Sequence, residues 1–313
     1  MHRRDFLTTS IGSSAAVVLA STALGTTAQQ DAEKPSVPNR QFQLRYAPHL
    51  GMFSKHGGDA TGQIDFMSAE GFTAFEDNSM RHRGRAEQDA IAKALDRNNM
   101  LMGVLVANDG GFGPPLITSG NKDIEDRFCA NVQETIEVAK RLNGKYATVV
   151  CGTIDPQLDP DKQQANVVRA LKRASALCEP HGLILCCEPL NWRDHPNQYL
   201  RYTPHSYEVM KQVDSPSCKI LFDIYHQQAS EGNLIEHMDQ CWDEIAYIQV
   251  GDNPGRREPG TGEINYRNVF KFLAEKGYTG PVGMEHGNAK PGKEGERAVI
   301  DAYVLADNFS VAK

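Results

Sequence analysis

The chain has 313 residues, 40% of them apolar and 23% charged, with a formal net charge of −7. This is the balance of a globular protein large enough for one big domain or two ordinary ones. An acidic chain is a poor electrostatic partner for a polyanion, which argues against nucleic acid as a partner without excluding a local basic patch.

Residues 1–28 read as a twin-arginine signal peptide. Arg3-Arg4-Asp5-Phe6-Leu7 leads into an Ala/Ser/Thr-rich stretch from Ile11 to Leu24, and Thr26-Thr27-Ala28 offers small residues for cleavage. A retained membrane anchor is the alternative. The stretch is short for a spanning helix and rich in hydroxyls, so cleavage near Ala28 is expected, with no stable membrane insertion afterwards. The mature protein is then periplasmic or exported. Residues 29–40 are polar, hold Pro35 and Pro38, and read as a flexible lead-in. An exported chain with seven cysteines would ordinarily suggest disulfides. The number is odd, and Cys151, Cys186 and Cys187 lie inside apolar runs, so the cysteines read as core residues.

From residue 41 to 313, short apolar runs alternate with longer amphipathic ones. Strands are expected at 43–48, 72–76, 101–107 and 147–151, and then in four runs ending at Glu188, Asp223, Gln249 and Glu285. Helices are expected at 64–71, 87–98, 126–142, 163–178, 205–213, 234–242, 266–276 and 294–308. The loop 108–121, rich in Gly and Pro, is long enough to cover a pocket mouth, although a plain surface loop has the same composition. Eight strand–helix alternations in about 265 residues predict an α/β fold, a single (β/α)8 TIM barrel. A doubly wound open sheet is the runner-up, but polar residues end many strands and the first strand has no GxGxxG after it.

In a barrel all strand C-termini open on one face, so Glu188, Asp223, Gln249 and Glu285 would meet, about one βα unit apart in sequence. Three carboxylates and an amide oxygen are hard ligands, suited to one divalent metal ion, Mg²⁺ or Mn²⁺. Alone, any of these acids would serve as a helix cap or ion-pair partner; four in consecutive units point to a site. Glu76 ends the second strand and would contact substrate, support Arg256 or form a structural salt bridge. His49 after the first strand, and Asn191 and Trp192 after Glu188, are candidate pocket walls, with core packing as the competing role.

Three stretches carry a resemblance. They are Glu188-Pro189-Leu190-Asn191 with Asp194-His195-Pro196, then Phe222-Asp223-Ile224-Tyr225-His226-Gln227, and the run from Gln249 to Tyr266 that contains Asp252-Asn253-Pro254-Gly255-Arg256-Arg257-Glu258-Pro259-Gly260. The chain resembles the hydroxypyruvate isomerase branch of the xylose isomerase-like barrels from about Arg45 onward. The resemblance implies a divalent-metal aldose–ketose isomerase or epimerase that works through an enediolate on a small carbohydrate or keto-acid. It implies metal ligation by Glu188, Asp223, Gln249 and Glu285, with Glu188 and Glu285 as the catalytic acids. It also implies substrate contacts from His226 and from Arg256, with Arg257 a close competitor. Against these stand a hydrogen-bonded core role for His226 and a solvated loop charge for Arg256.

An exported isomerase fits hydroxypyruvate poorly, because that compound is cytoplasmic. A metal-dependent lyase or hydratase acting on an oxidised (keto) sugar or glycoside is therefore a rival, since an enediolate can also expel a β-substituent. An endonuclease IV-like barrel would need several histidine ligands, and a non-catalytic sugar-binding barrel would not need two glutamates at the metal. Homo-oligomerisation is left open.

Overall fold

The computed structural model describes residues 41–311; the targeting segment and the lead-in lie outside the described residues. Nine parallel strands are present: β1 Arg45–Pro48, β2 Ala74–Phe75, β3 Leu101–Met102, β4 Val104–Val106, β5 Tyr146–Val149, β6 Ile184–Cys187, β7 Cys218–Asp223, β8 Ile245–Gln249 and β9 Pro281–Met284. Seven form one sheet in the order β1-β9-β8-β7-β6-β5-β4, and β2 pairs with β3. Two small links close the circle. The Glu76 N–H donates to Pro48 O at 3.0 Å, joining β1 to β2, and the Gly103 N–H donates to Phe75 O at 2.7 Å where the chain passes from β3 to β4. The expected third strand, 101–107, is thus one barrel strand interrupted at Gly103. The closed ring is the (β/α)8 barrel, and the pairing of β1 with β9 excludes the open doubly wound sheet.

Side chains alternate along each strand, and that alternation places the site. In β6, Leu185 and Cys187 join the large core, whereas Cys186 belongs to a small separate cluster with Val104, Leu221 and Tyr247, all fully buried. Extending the same phase by one step leads from Cys186 to Glu188, from Leu221 to Asp223 and from Tyr247 to Gln249. Glu76 and Glu285 stand in the matching phase of β2 and β9. Two glycines make room inside. A Cβ at Gly103 would lie 2.3 Å from Tyr247 Oη, and one at Gly283 would lie 2.0 Å from Glu76 Oε2.

Helices cover the outer surface of the strands, and several start earlier than their apolar periodicity indicates. Asp59, Asn121 and Asp159 cap the helices Ala60–Ala69, Lys122–Leu142 and Pro160–Cys178, accepting from backbone N–H groups of the first turn. All seven cysteines are buried and unpaired. No helix among the described residues is long and apolar enough to cross a membrane.

Candidate active site

The C-terminal ends of the strands surround a cavity of about 370 Å³ whose lining includes Glu188, Gln249, Glu285, Asn78 and Thr148. Loop residues Asp109 to Phe112 also line it. The stretch 108–121 therefore does border the pocket. Asn108 ties its start to the end of β5, accepting from Val150 N–H at 3.2 Å and donating to Val150 O at 3.1 Å.

Asp223 does two jobs at once. Its Oδ1 accepts from the backbone N–H groups of Tyr225 at 2.8 Å and His226 at 3.4 Å, capping a short helix, Ile224–Ser230, that starts directly at the strand end. This leaves Oδ2 for the site and sets His226 above it, with Nε2 at 3.6 Å from Asp223 Oδ2 and 3.8 Å from Glu188 Oε1. One ligand atom each from Glu188, Asp223 and His226 lie within 4.8 Å of one another, a group that could hold a metal ion.

The hydrogen bonds argue for a different role for His226. Asn191 Nδ2 lies 2.7 Å from His226 Nδ1, and the Asn191 backbone N–H points at the same nitrogen at 3.4 Å. The Asn191 amide cannot turn over freely, because its Oδ1 accepts from Asp194 N–H at 2.9 Å and its Nδ2 also donates to Asp194 Oδ2 at 3.2 Å. Two donors make Nδ1 the acceptor and place the ring hydrogen on Nε2. A ligating histidine has the reverse arrangement, donating from the nitrogen away from the metal. Burial pushes the His226 pKa down to about 4, outweighing the pull of Asp223, so the ring is neutral near pH 7. It is a hydrogen-bond donor aimed at the carboxylates.

Gln249 supplies the better fourth donor. Its Nε2 donates to Glu76 Oε1 at 3.0 Å, and its Oε1 is buried without a partner. A buried carbonyl oxygen without a donor costs on the order of 1–3 kcal/mol unless something binds it. Glu188, Asp223, Gln249 and Glu285 form a hard oxygen set with that orphan atom among them, so the residues present fit a divalent ion.

Arg256 is the counter-charge. Its Nη2 donates to Asp223 Oδ2 at 2.9 Å and Glu285 Oε2 at 2.8 Å, its Nε donates to Glu285 O at 3.1 Å, and its guanidinium lies 5.0 Å from the Tyr225 ring centroid. Burial alone would lower its pKa, but the Asp223, Glu285 and Glu188 charges outweigh burial and raise it. The backbone at Arg256 is left-handed, with φ of 50°, and Asp252 braces the loop by accepting from the N–H groups of Asn253, Gly260, Gly262 and Ile264. Gly262 has no room for a side chain, since a Cβ would lie 2.3 Å from Asn253 O. Arg257 turns away; its Nη1 fills the space beside Gly287.

The glutamates are strongly perturbed. Burial, then the Glu285 and Asp223 charges, push Glu188 well above the ordinary carboxylate range, with Arg256 pulling back. Burial raises Glu285 too, opposed by Arg256 and by the Asn78 Nδ2 hydrogen bond at 2.8 Å.

Two expected substrate contacts sit elsewhere. Glu76 is fully buried and does not touch Arg256; its two oxygens accept from Gln249 and, at 2.8 Å, from Tyr247 Oη. Trp192 is 37% exposed, donates to Gln198 O at 3.0 Å and packs 4.6 Å from the Arg201 guanidinium, outside the cavity lining. His49 stands at the barrel rim with its ring nitrogens 2.9 Å from Leu50 O and 3.0 Å from His286 O. Asn191 reaches the site through His226. Asn78 and Thr148 were not singled out from sequence. Their positions, two residues past Glu76 and on the inward phase of β5, are the signal that could have found them.

Strand ends deliver acids and an amide oxygen to one mouth of a (β/α)8 barrel. The chain belongs to the xylose isomerase-like TIM barrel family, whose model matches residues 64–304. It is 35% identical to the hydroxypyruvate isomerase of Escherichia coli (strain K12) over 162 residues, 52% of this chain and 63% of that one, less than two thirds of the relative's length. It is 26% identical to the 2-oxo-tetronate isomerase of Cupriavidus necator over 249 residues, 77% of this chain and 92% of the relative. Among solved structures, a D-psicose 3-epimerase from Clostridium cellulolyticum H10 superposes with a TM-score of 0.69 at 17% identity, covering 84% of this chain and 98% of that one. An AP endonuclease, family 2, from Brucella melitensis has the same TM-score at 22% identity, covering 80% and 96%. Likeness at these identities reflects the shared fold.

Proposed function

We propose that this protein is a divalent-metal-dependent isomerase or epimerase of a small sugar or keto-acid, working through an enediolate. The observation that carries the reading is the pairing of two glutamates that act on each other's charge, the buried Glu188 and the partly exposed Glu285, around the unpartnered Gln249 Oε1. Glu188, Asp223, Gln249 and Glu285 would hold the ion, Mg²⁺ or Mn²⁺ by their hardness. When bound, it would polarise the carbonyl and neighbouring hydroxyl oxygens of the substrate.

The chain's own groups do the rest. A glutamate whose pKa is raised toward neutrality is a better base for a carbon-bound proton than an ordinary carboxylate. Glu188 or Glu285 takes that proton, and the same or the other glutamate returns it. Return to the neighbouring carbon, with the hydroxyl proton passing to the former carbonyl oxygen, isomerises; return to the opposite face of the same carbon epimerises. His226 Nε2–H donates to a substrate oxygen and stays neutral while doing so. Arg256, held by its bonds to Asp223 and Glu285, acts as the counter-charge beside oxygens that gain negative charge. Residues 1–28 act in this reading as an export signal of the twin-arginine type.

The test is incorporation of deuterium from heavy water into substrate. Glu188→Gln and Glu285→Gln should each abolish it in the Mn²⁺-supplemented protein. Normal exchange in either variant removes that residue from proton transfer. Release of water or an aglycone during the assay would replace the isomerase reading with that of a lyase or hydratase on an oxidised sugar.

A further inference from the structure

The isomerase reading leaves open whether the substrate carries a charge, and the polar groups around the cavity bear on it. None of the twelve lining residues is Lys or Arg. The nearby cations are already committed. Arg256 is bonded to Asp223 and Glu285, and Arg81 is bonded to Asp109 and Glu134. Arg257 packs against Gly287, and Arg193 donates to Tyr225 Oη and Asn253 Oδ1. Three carboxylates, those of Glu188, Asp223 and Glu285, stand around one guanidinium, so a divalent ion would bring the fully ionised site only to neutrality. A substrate carboxylate or phosphate would add net negative charge to the site with no Lys or Arg in the lining to meet it.

Besides Gln249 Oε1, the lining holds two further buried side-chain oxygens without partners, Asn78 Oδ1 and Thr148 Oγ1. The orientation of Asn78 is set, because its Nδ2 donates to Glu285 Oε1. Its Oδ1 is therefore an acceptor only, and needs an O–H or N–H from the ligand. Thr148 Oγ1 can both give and take. Carbinol groups suit both atoms, since a hydroxyl can donate to Asn78 and accept from Thr148. A carboxylate can accept from Thr148 but puts a second bare oxygen against Asn78, which costs rather than gains.

Resting on the isomerase reading, we propose that the substrate is an uncharged polyhydroxy carbonyl compound, a ketose or keto-glycoside, whose hydroxyls beyond the reacting carbons are read by Asn78 Oδ1 and Thr148 Oγ1. The keto-acids named for the related isomerases are then the poorer ligands of this chain.

Two measurements on the full Mn²⁺-supplemented protein test this. In the first, calorimetry compares erythritol with erythronate, which differ only in a carbinol or a carboxylate at one end and need no turnover. The polyol should bind at least about tenfold more tightly, the scale of one satisfied against one unsatisfied polar pair. Equal or tighter binding of the acid, or binding of neither, overturns the proposal. In the second, deuterium uptake compares dihydroxyacetone with hydroxypyruvate, and erythrulose with 2-oxo-tetronate. Faster exchange into the ketoses supports it, and faster or equal exchange into the keto-acids overturns it. Polyol binding with no exchange into any compound overturns the isomerase reading alone and leaves the ligand class standing. Thr148→Val, which removes an unpartnered hydroxyl and should fold normally, should weaken erythritol about tenfold. Unchanged affinity in a folded Thr148→Val protein counts against the proposal.

Discussion

Replacing Glu76 by Gln isolates what orients Gln249. Glu76 Oε1 accepts from Gln249 Nε2 at 3.0 Å, which is why Gln249 Oε1 and not its NH₂ is left bare. In Glu76→Gln, with Tyr247 Oη still donating to the amide oxygen, the new NH₂ faces Gln249 Nε2, and the Gln249 amide turns over to relieve two opposed donors. The cavity would receive an NH₂ in place of a ligand oxygen. Losing an orienting partner of a metal ligand typically costs about 10–100-fold in affinity, or about 1.4–2.7 kcal/mol. Calorimetric titration with Mn²⁺ reads this directly. Tyr247→Phe is the control: it removes the 2.8 Å bond to Glu76 Oε2 but keeps the Glu76 carboxyl and the Gln249 contact. It should lower thermal stability by about 1.5–3 kcal/mol while leaving Mn²⁺ affinity nearly intact. An unchanged Mn²⁺ dissociation constant in Glu76→Gln refutes the orientation argument. So does an equal loss in Tyr247→Phe.

Asn191→Asp should invert the His226 tautomer, since an acceptor beside Nδ1 favours Nδ1–H; long-range ¹⁵N–¹H spectra would show the change, and deuterium exchange into substrate should fall at least about tenfold. A wild-type ring protonated at Nδ1 would contradict the hydrogen-bond assignment. Gly103→Ala forces a Cβ to 2.3 Å from Tyr247 Oη and 3.1 Å from Phe75 O, so denaturant unfolding should register a loss of about 1–3 kcal/mol. Burial lowers the His205 pKa from its ordinary 6.5. The folded state then binds fewer protons than the unfolded one below pH 6.5, and stability falls as the medium is acidified through that range. His205→Phe should flatten the acid limb of a Tm–pH profile and leave Tm at pH 8 little changed; an unaltered acid limb would show that His205 does not contribute.

Much of the barrel was legible because buried parallel strands read as short apolar runs and their rims carry the polar residues. Glu188, Asp223, Gln249 and Glu285 stood out as oxygens closing such runs. What the chain concealed was non-local. Glu76 also closes an apolar run, but its partner Tyr247 lies 171 residues away, and only the glycine at 283 leaves it space to lean inward. Trp192 sits four residues after Glu188, yet a loop residue has no fixed phase, and Arg201 and Gln198 hold it aside. The helix at Ile224–Ser230 is hidden because its capping acid also closes an apolar strand run. Helix starts are hidden for a related reason, since a polar first turn has no apolar period to reveal it.

The two narrow links that close the barrel have a consequence for how it comes apart. The section of wall formed by β2 and β3 is two residues deep in each strand, and β2 meets β1 by little more than a single amide bond. Elements so sparsely tied belong to the least protected class in native-state exchange. Amides from residue 74 to 103 should therefore trade their hydrogens ahead of β5 through β9, by a partial release that leaves the remaining staves paired. That panel carries both Glu76 and Asn78. Heating or mild denaturant would disarm the mouth of the barrel while most of the molecule is still folded, so inactivation should precede the loss of helical signal.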